Sequence, residues 1–280
     1  MTETLDQKTI LVTGATAGIG RETALALAYQ GHHVLLHGRD PGKLEQTRAD
    51  IFRATGNSGL ETCLADFASL RQVRRMAQEL NQRLERLDVL VNNAGLFMAE
   101  RRLTEDGLEC TLAVNHVATF LLTCLLLDLM KRSAPSRVVT VSSRAHQRLN
   151  RVDFDNLQGE KYFSGVYAYA LSKLGNILFT GELARRLQGS YVTANCLHPG
   201  TVNTRLLHDS FGRALPVPGT PEQGADTVIY LAVHPEVEGV SGQYFISRRA
   251  SLPSTLALNA PLQRRFWQES ARLAGLEAET

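Results

Sequence analysis

The sequence predicts an α/β fold, a mostly parallel sheet covered on both faces by helices. Three observations point there. Seven short, β-branched apolar runs recur along the chain. Helix-length segments with start signals lie between them. A glycine-rich turn follows the first run and opens a helix. Continuous apolar runs suit strands buried on both faces, and strands alternating with helices imply parallel pairing.

In chain order the expected strands are residues 9–13 (TILVT), 33–37 (HVLLH), 60–64 (LETCL), 88–92 (DVLVN), 137–142 (RVVTVS), 192–198 (VTANCLH) and 243–246 (QYFI). Asp40 before Pro41 reads as an N-cap with proline at the first helical position. Ser69 with Gln72, and Thr220 with Gln223, fit the capping box. Thr104 is the expected cap of a long apolar helix through residues 117–130. That run is about 14 residues long, holds Asp128, and reads as a buried helix too short to span a bilayer. No linker-like segment divides the series, so residues 1–280 are read as one domain with a seven-stranded parallel sheet. The last ~30 residues, after Phe245, lack an obvious strand partner and are expected as a lid or tail.

Composition excludes several functions. Hydrophobic residues make up 44% and charged residues 21%, ordinary globular usage rather than disorder. A formal charge of +2 leaves no strong field for nucleic acid or anionic lipid. The basic side, 25 Arg and 5 Lys, is scattered in pairs such as Arg185-Arg186 and reads as solvated surface. Cys63, Cys110, Cys124 and Cys196 form no CxxC and are expected as small buried hydrophobes in a reducing cytosol. The N-terminus has no signal-peptide pattern, so the expected location is cytoplasmic. His32, His33 and His37 are close in sequence, but a strand puts neighbours on opposite faces, and no credible metal set emerges.

The chemistry concentrates in a few motifs. Gly14-Ala15-Thr16-Ala17-Gly18-Ile19-Gly20 joins the first strand to a helix whose N-terminus offers free N–H groups to a pyrophosphate. Its spacing is GxxxGxG rather than GxGxxG. The end of the second strand, where an acid would read the ribose of NAD, carries Gly38-Arg39. A guanidinium there suits a 2′-phosphate, with Arg21 as a possible second cation and Asp40 as the competing signal for NAD. Asn92-Asn93-Ala94-Gly95 places small residues at a strand end, where a ligand passes close to the backbone. Tyr169 and Lys173 stand four apart and share a helix face, where an ammonium would lower the pKa of a phenol used for proton exchange. Leu206, Leu207, Phe211, Leu215 and Val217 are suited to line a substrate pocket or to pack, and His198 to hold the backbone.

TGATAGIG, NNAG, Asn115 in AVNHVATF, VSS at 141–143, YALSK and HPG at 198–200 come in the order of one family. Over residues 7–247 the chain resembles the short-chain dehydrogenase/reductases. The resemblance implies a Rossmann-type doubly wound fold. It implies Ser143, Tyr169, Lys173 and Asn115 as the catalytic set, with Ser142 the near alternative to Ser143. By the same resemblance Asp66 with Phe67 meets adenine, and Asn93, Ala94 and Gly95 meet the adenosine-side ribose. Pro199, Gly200, Val202 and Thr204 would hold the nicotinamide end. The 26-residue gap between Ser143 and Tyr169, HPG and GQYF resemble the retinol-dehydrogenase-like branch, with an extra segment at 147–165. The implied activity is NADP(H)-dependent interconversion of a small hydrophobic alcohol and its carbonyl compound. The alternatives are reduction of an activated C=C bond and a non-catalytic NADP-binding regulator. Helices around 105–130 and 166–187 would be dimer or tetramer faces.

Overall fold

Strand β1 (Thr9–Val12) is wholly buried, and its side chains alternate between two cores. Ile10 and Val12 enter one, and Leu11 enters the other. This two-sided burial is why the strands read as continuous apolar runs. A computed structural model describes residues 7–202 and 219–277. In it β2 (His33–Gly38), β3 (Leu60–Leu64), β4 (Val89–Asn92), β5 (Ser136–Val141), β6 (Val192–His198) and β7 (Tyr244–Ile246) lie parallel with β1 in the order 3-2-1-4-5-6-7. An eighth strand, β8 (Arg249–Ser251), runs antiparallel to β7. The expected seven strands are therefore present within a residue or so at each end, and a three-residue edge strand is added.

Helices α1 (Gly18–Tyr29), α2 (Pro41–Thr55) and α6 (Pro221–Val233) cover one face through Leu27, Leu44, Ile51 and Val228. The other face carries α3 (Leu70–Arg83), α4 (Cys110–Arg132) and α5 (Gly165–Arg186), with Leu80, Phe120 and Phe179 in the core. Asp40 and Ser69 cap α2 and α3 by accepting from Lys43 N and Gln72 N. Thr220 and Gln223 complete the capping box on α6. Gln72 does not complete the second box, because its Oε1 accepts from Asp66 N instead.

Helix α4 departs from expectation in two ways. Its cap is Glu109, whose carboxylate accepts from Thr111 N and Leu112 N, whereas the Thr104 hydroxyl only accepts from Leu108 N in the preceding turn. It also runs 23 residues, long and apolar enough by length and composition to cross a membrane, and most of it is buried inside the fold. Residues 113–117 of this helix form a π turn.

The segment after Phe245 forms β8 and then α7 (Ala260–Ala274), which packs across α4 and α5, the two helices expected to meet a second copy. Trp267 lies edge-on to Phe120 at 4.8 Å and stacked with Phe179 at 5.7 Å, with the Arg186 guanidinium 4.2 Å above it. Cys63 and Cys196 are buried, and burial pushes both thiols up to about 12.

Candidate active site

Strands β1 and β4 are neighbours where the strand order reverses, and their carboxyl ends form the crevice that open α/β sheets use for ligands. The two turns meet closely. Gly14 has φ +67°, and a Cβ there would lie 2.9 Å from Ala94 Cα. A Cβ on Gly20 would run into the Gly14 carbonyl and the Asn93 amide. Ala17, the N-cap of α1, makes no side-chain cap bond, so the first-turn N–H groups are left for an anion.

Side chains hold this turn. Asn93 Nδ2 donates to Thr13 O at 2.8 Å and to Gly14 O at 3.3 Å. Thr13 Oγ1 accepts from Asn93 N and Ala94 N and donates to Val91 O. His37 Nδ1 accepts from Gly14 N at 3.2 Å, so its Nε2–H donates to Ala65 O at 3.0 Å. Burial pushes this imidazole down to about 4, and its ring stacks on Phe67 at 4.2 Å. The sequence reading weighed His37 only as a metal ligand and missed the brace. Its signal was a histidine at the inner end of β2, one residue before Gly38.

The expected ribose-reading position is built asymmetrically. Arg39 is exposed at the end of β2, whereas Asp40 Oδ1 is committed to capping Lys43 N. Arg21 is paired with Glu22 at 2.9 Å, which draws it into a local ion pair. Asp66 Oδ1 accepts from Ala68 N and shapes the turn after β3. Thr16 is packed under the loop, its Cγ2 within 2.8 Å of a Cβ placed on Gly38. Val202 and Ile19 converge on Gly224 of α6, and Gly200 has φ +89° beside Pro199. Thr204 and the apolar residues Leu206, Leu207, Phe211, Leu215 and Val217 lie outside the described residues.

The catalytic candidates converge at the ends of β5 and α5. Ser143 accepts from Ala145 N at 3.1 Å, and its hydroxyl is the neighbour that draws the Tyr169 phenol's pKa down. Ser142, its neighbour, points the other way: its Oγ donates to Lys173 O at 2.7 Å and is buried. Lys173 Nζ donates to Val141 O at 3.0 Å and lies 5.8 Å from the Tyr169 ring centroid. Burial lowers this ammonium to about 8 and raises the Tyr169 phenol to about 12, with the Ser143 bond pulling the phenol down. The sequence reading has Lys173 depress the phenol; in the fold burial is the larger influence on Tyr169, and the lowering comes from Ser143.

Asn115 sits on the π turn of α4. Its Oδ1 accepts from Leu96 N at 2.7 Å, and its Nδ2 donates to Leu96 O and to Ser172 Oγ. A Cβ on Gly95 would lie 3.3 Å from Asn115 Oδ1 and 3.5 Å from Lys173 Nζ. Such π turns often mark functional sites. Phe97 lies edge-on to Tyr169 at 6.2 Å and gives the site an apolar wall. His198 accepts from Arg144 N at 3.4 Å, a backbone-holding contact. A second histidine, His146, was not singled out from sequence. It accepts from Ser254 N at Nε2, so its Nδ1–H donates to Ser143 O at 2.6 Å.

The model for short chain dehydrogenases matches residues 8–213. The chain belongs to the short-chain dehydrogenase family. It is 44% identical over 289 residues to human retinol dehydrogenase 13, covering 98% of this chain and 87% of that one. It is 43% identical to human retinol dehydrogenase 14, covering 96% and 87%. A crystal structure of an uncharacterised protein from Mycobacterium paratuberculosis superposes with a TM-score of 0.80 at 33% identity, covering 97% and 94% of the two chains. A short chain dehydrogenase from Escherichia coli complexed with NADPH superposes with a TM-score of 0.73 at 28% identity, covering 89% and 100%. This short-chain dehydrogenase is thus an oxidoreductase on a Rossmann nucleotide-binding fold, and the family with its NADPH complex supports a nicotinamide cofactor.

Proposed function

We propose that this chain is an NADP(H)-dependent oxidoreductase that interconverts an apolar alcohol and its aldehyde or ketone. The observation that carries the reading is the meeting of Ser143 and Tyr169 with the buried Lys173 ammonium, 5.8 Å from the Tyr169 ring, at the crevice end of the sheet. NADPH supplies a hydride when bound. The residues fit it: glycines at 14, 18 and 20 leave room for backbone approach, and the uncapped N-terminus of α1 receives a diphosphate. Arg39 faces a 2′-phosphate while Asp40 is occupied as a cap. Pro199, Gly200 and Val202 edge the nicotinamide end, Asn93, Ala94 and Gly95 the adenosine-side ribose, and Asp66 with Phe67 the adenine.

Tyr169 donates its proton to the carbonyl oxygen as charge develops there. Ser143 donates a hydrogen bond to the same oxygen and orients the phenol. Lys173 holds a positive charge beneath the phenolate that forms. Asn115 keeps the loop at Leu96 closed over the site and positions a water for reprotonation.

The test is NADPH oxidation with a panel of apolar aldehydes, quinones and enones, retinal first because the relatives above are named retinol dehydrogenases. Turnover of aldehydes or ketones is the expected result. Turnover of enones alone supports C=C reduction. Tight NADPH binding without turnover on any carbonyl supports a sensor and contradicts the proposal.

A further inference from the structure

We infer that Ser270, His116 and Asn176 form a positioning chain that fixes which end of the Asn176 amide faces the carbonyl holding Lys173. The inference rests on the reading above for the importance of Lys173. Val141 O, at the end of β5, accepts from Lys173 Nζ at 3.0 Å and from Asn176 Nδ2 at 3.4 Å. An amide has two ends of similar shape and opposite function. Reversed, Asn176 would set its carbonyl oxygen against that of Val141, two acceptors facing each other, and disturb the carbonyl that anchors the ammonium.

His116 meets the other end of the amide. Its Nδ1 lies 3.1 Å from Asn176 Oδ1, and its Nε2 lies 2.7 Å from Ser270 Oγ. A carbonyl oxygen only accepts, so Nδ1 carries the proton and Nε2 is bare. Ser270 Oγ also lies 2.7 Å from Phe266 O, so its single proton has two acceptors: given to His116 it keeps Nε2 bare, and given to Phe266 it would place the His116 proton at Nε2. In the first arrangement each donor points toward Val141: Ser270 to His116, His116 to Asn176, Asn176 to the carbonyl. His116, Asn176 and Ser270 are 1%, 2% and 2% exposed, so water does not replace a missing partner. Burial holds the imidazole at about 4, neutral as the chain requires. Gly175 makes the room, since a Cβ there would lie 3.0 Å from His116 Nδ1 and 2.7 Å from Phe266 Cε1.

The chain joins the π turn beside Asn115, helix α5 and the C-terminal helix α7. By this route a helix outside the dinucleotide-binding motifs steers the lysine.

The test compares His116→Leu with His116→Asn. Asparagine keeps an N–H near the Nδ1 position, whereas leucine is apolar and similar in volume. His116→Leu is expected to lower kcat about tenfold with KM for the aldehyde within about twofold, and His116→Asn to stay within about threefold of wild type. A packing role predicts the reverse order, because leucine would fill the site and asparagine would strand buried polar groups; that order overturns the chain. A second measurement needs no activity. Imidazole nitrogen NMR of the wild-type protein is expected to show His116 protonated at Nδ1. Protonation at Nε2 alone overturns the chain whether or not the enzyme turns over. The Nδ1 tautomer in a protein inert toward all carbonyls leaves the chain standing and refutes the reaction.

Discussion

The two ends of the site are built by opposite strategies. At the glycine-rich turn, side chains hold backbone: Asn93, Thr13 and His37 pin the carbonyls and N–H groups of residues 13, 14 and 91. At the catalytic end, backbone holds side chains: the carbonyl of Val141 fixes the Lys173 ammonium, and that of Lys173 fixes Ser142. A pyrophosphate is met by backbone N–H groups, so that end needs a shaped main chain. Proton transfer needs a hydroxyl and an ammonium at fixed points, so that end needs immobilised side chains.

The contrast gives its sharpest test at adjacent serines. Ser143→Ala removes a hydroxyl that meets Tyr169 and should lower kcat by about 10²-fold, with NADPH binding little changed. Ser142→Ala removes a brace worth about 1 kcal/mol and should lower Tm by a few degrees while kcat stays within severalfold. Steady-state kinetics and thermal melts on both variants check the pair, and the reverse ranking would misplace the catalytic serine.

At the backbone-shaped end, Gly20→Ala drives a methyl into the Gly14 carbonyl and the Asn93 amide. It should weaken NADPH binding at least about tenfold by fluorescence titration, since overpacking costs about 1–3 kcal/mol. Unchanged affinity would show that the turn does not need the close approach.

Arg39→Ala should raise KM for NADPH about tenfold and leave NADH nearly unchanged. Equal weakening of both cofactors would deny Arg39 a phosphate-reading role. Moving preference toward NADH with Gly38→Asp requires a smaller residue at Thr16, whose methyl blocks the new Cβ at 2.8 Å.

A separate effect, common to both ends of the site, is on stability against pH. Burial lowers His37, His116 and His198 to about 4, against an unfolded value of 6.5. The unfolded chain therefore binds more protons between those values, and stability is lost as pH falls from 6.5 toward 4. Each imidazole contributes about 2 kcal/mol of this loss at pH 5. Together the three cost about 6 kcal/mol, so Tm should fall by more than about ten degrees between pH 7 and pH 5, and a flat profile would contradict neutral braces.

Much of this was legible in the sequence, for identifiable reasons. Strands buried on both faces leave uninterrupted apolar runs, so β3 and β6 fall on the expected residues. β8 is three residues of Arg-Ala-Ser on an edge, with no apolar run to mark it. The cap of α4 was misread because Thr104 fits the residue preference, while the chain turns once more before Glu109 reaches the N–H groups. Tyr169 and Lys173 were visible because helical spacing is local. His37 and the His116 chain were not, since their partners are 23 to 154 residues away; His146 stands three residues from Ser143, but Ser254, which sets its tautomer, is 108 away. The phenol's direction of shift was missed because burial is a tertiary quantity that pair spacing does not report.

Tyr169→Phe removes one hydroxyl from a site that otherwise keeps its backbone turn, its serine and its lysine. Single-turnover oxidation of bound NADPH by an apolar aldehyde, in wild type and Tyr169→Phe, reads the proton-transfer step directly. The account predicts a fall of at least about 10²-fold in that rate with the NADPH dissociation constant unchanged. A Phe variant that oxidises NADPH at the wild-type rate would contradict it.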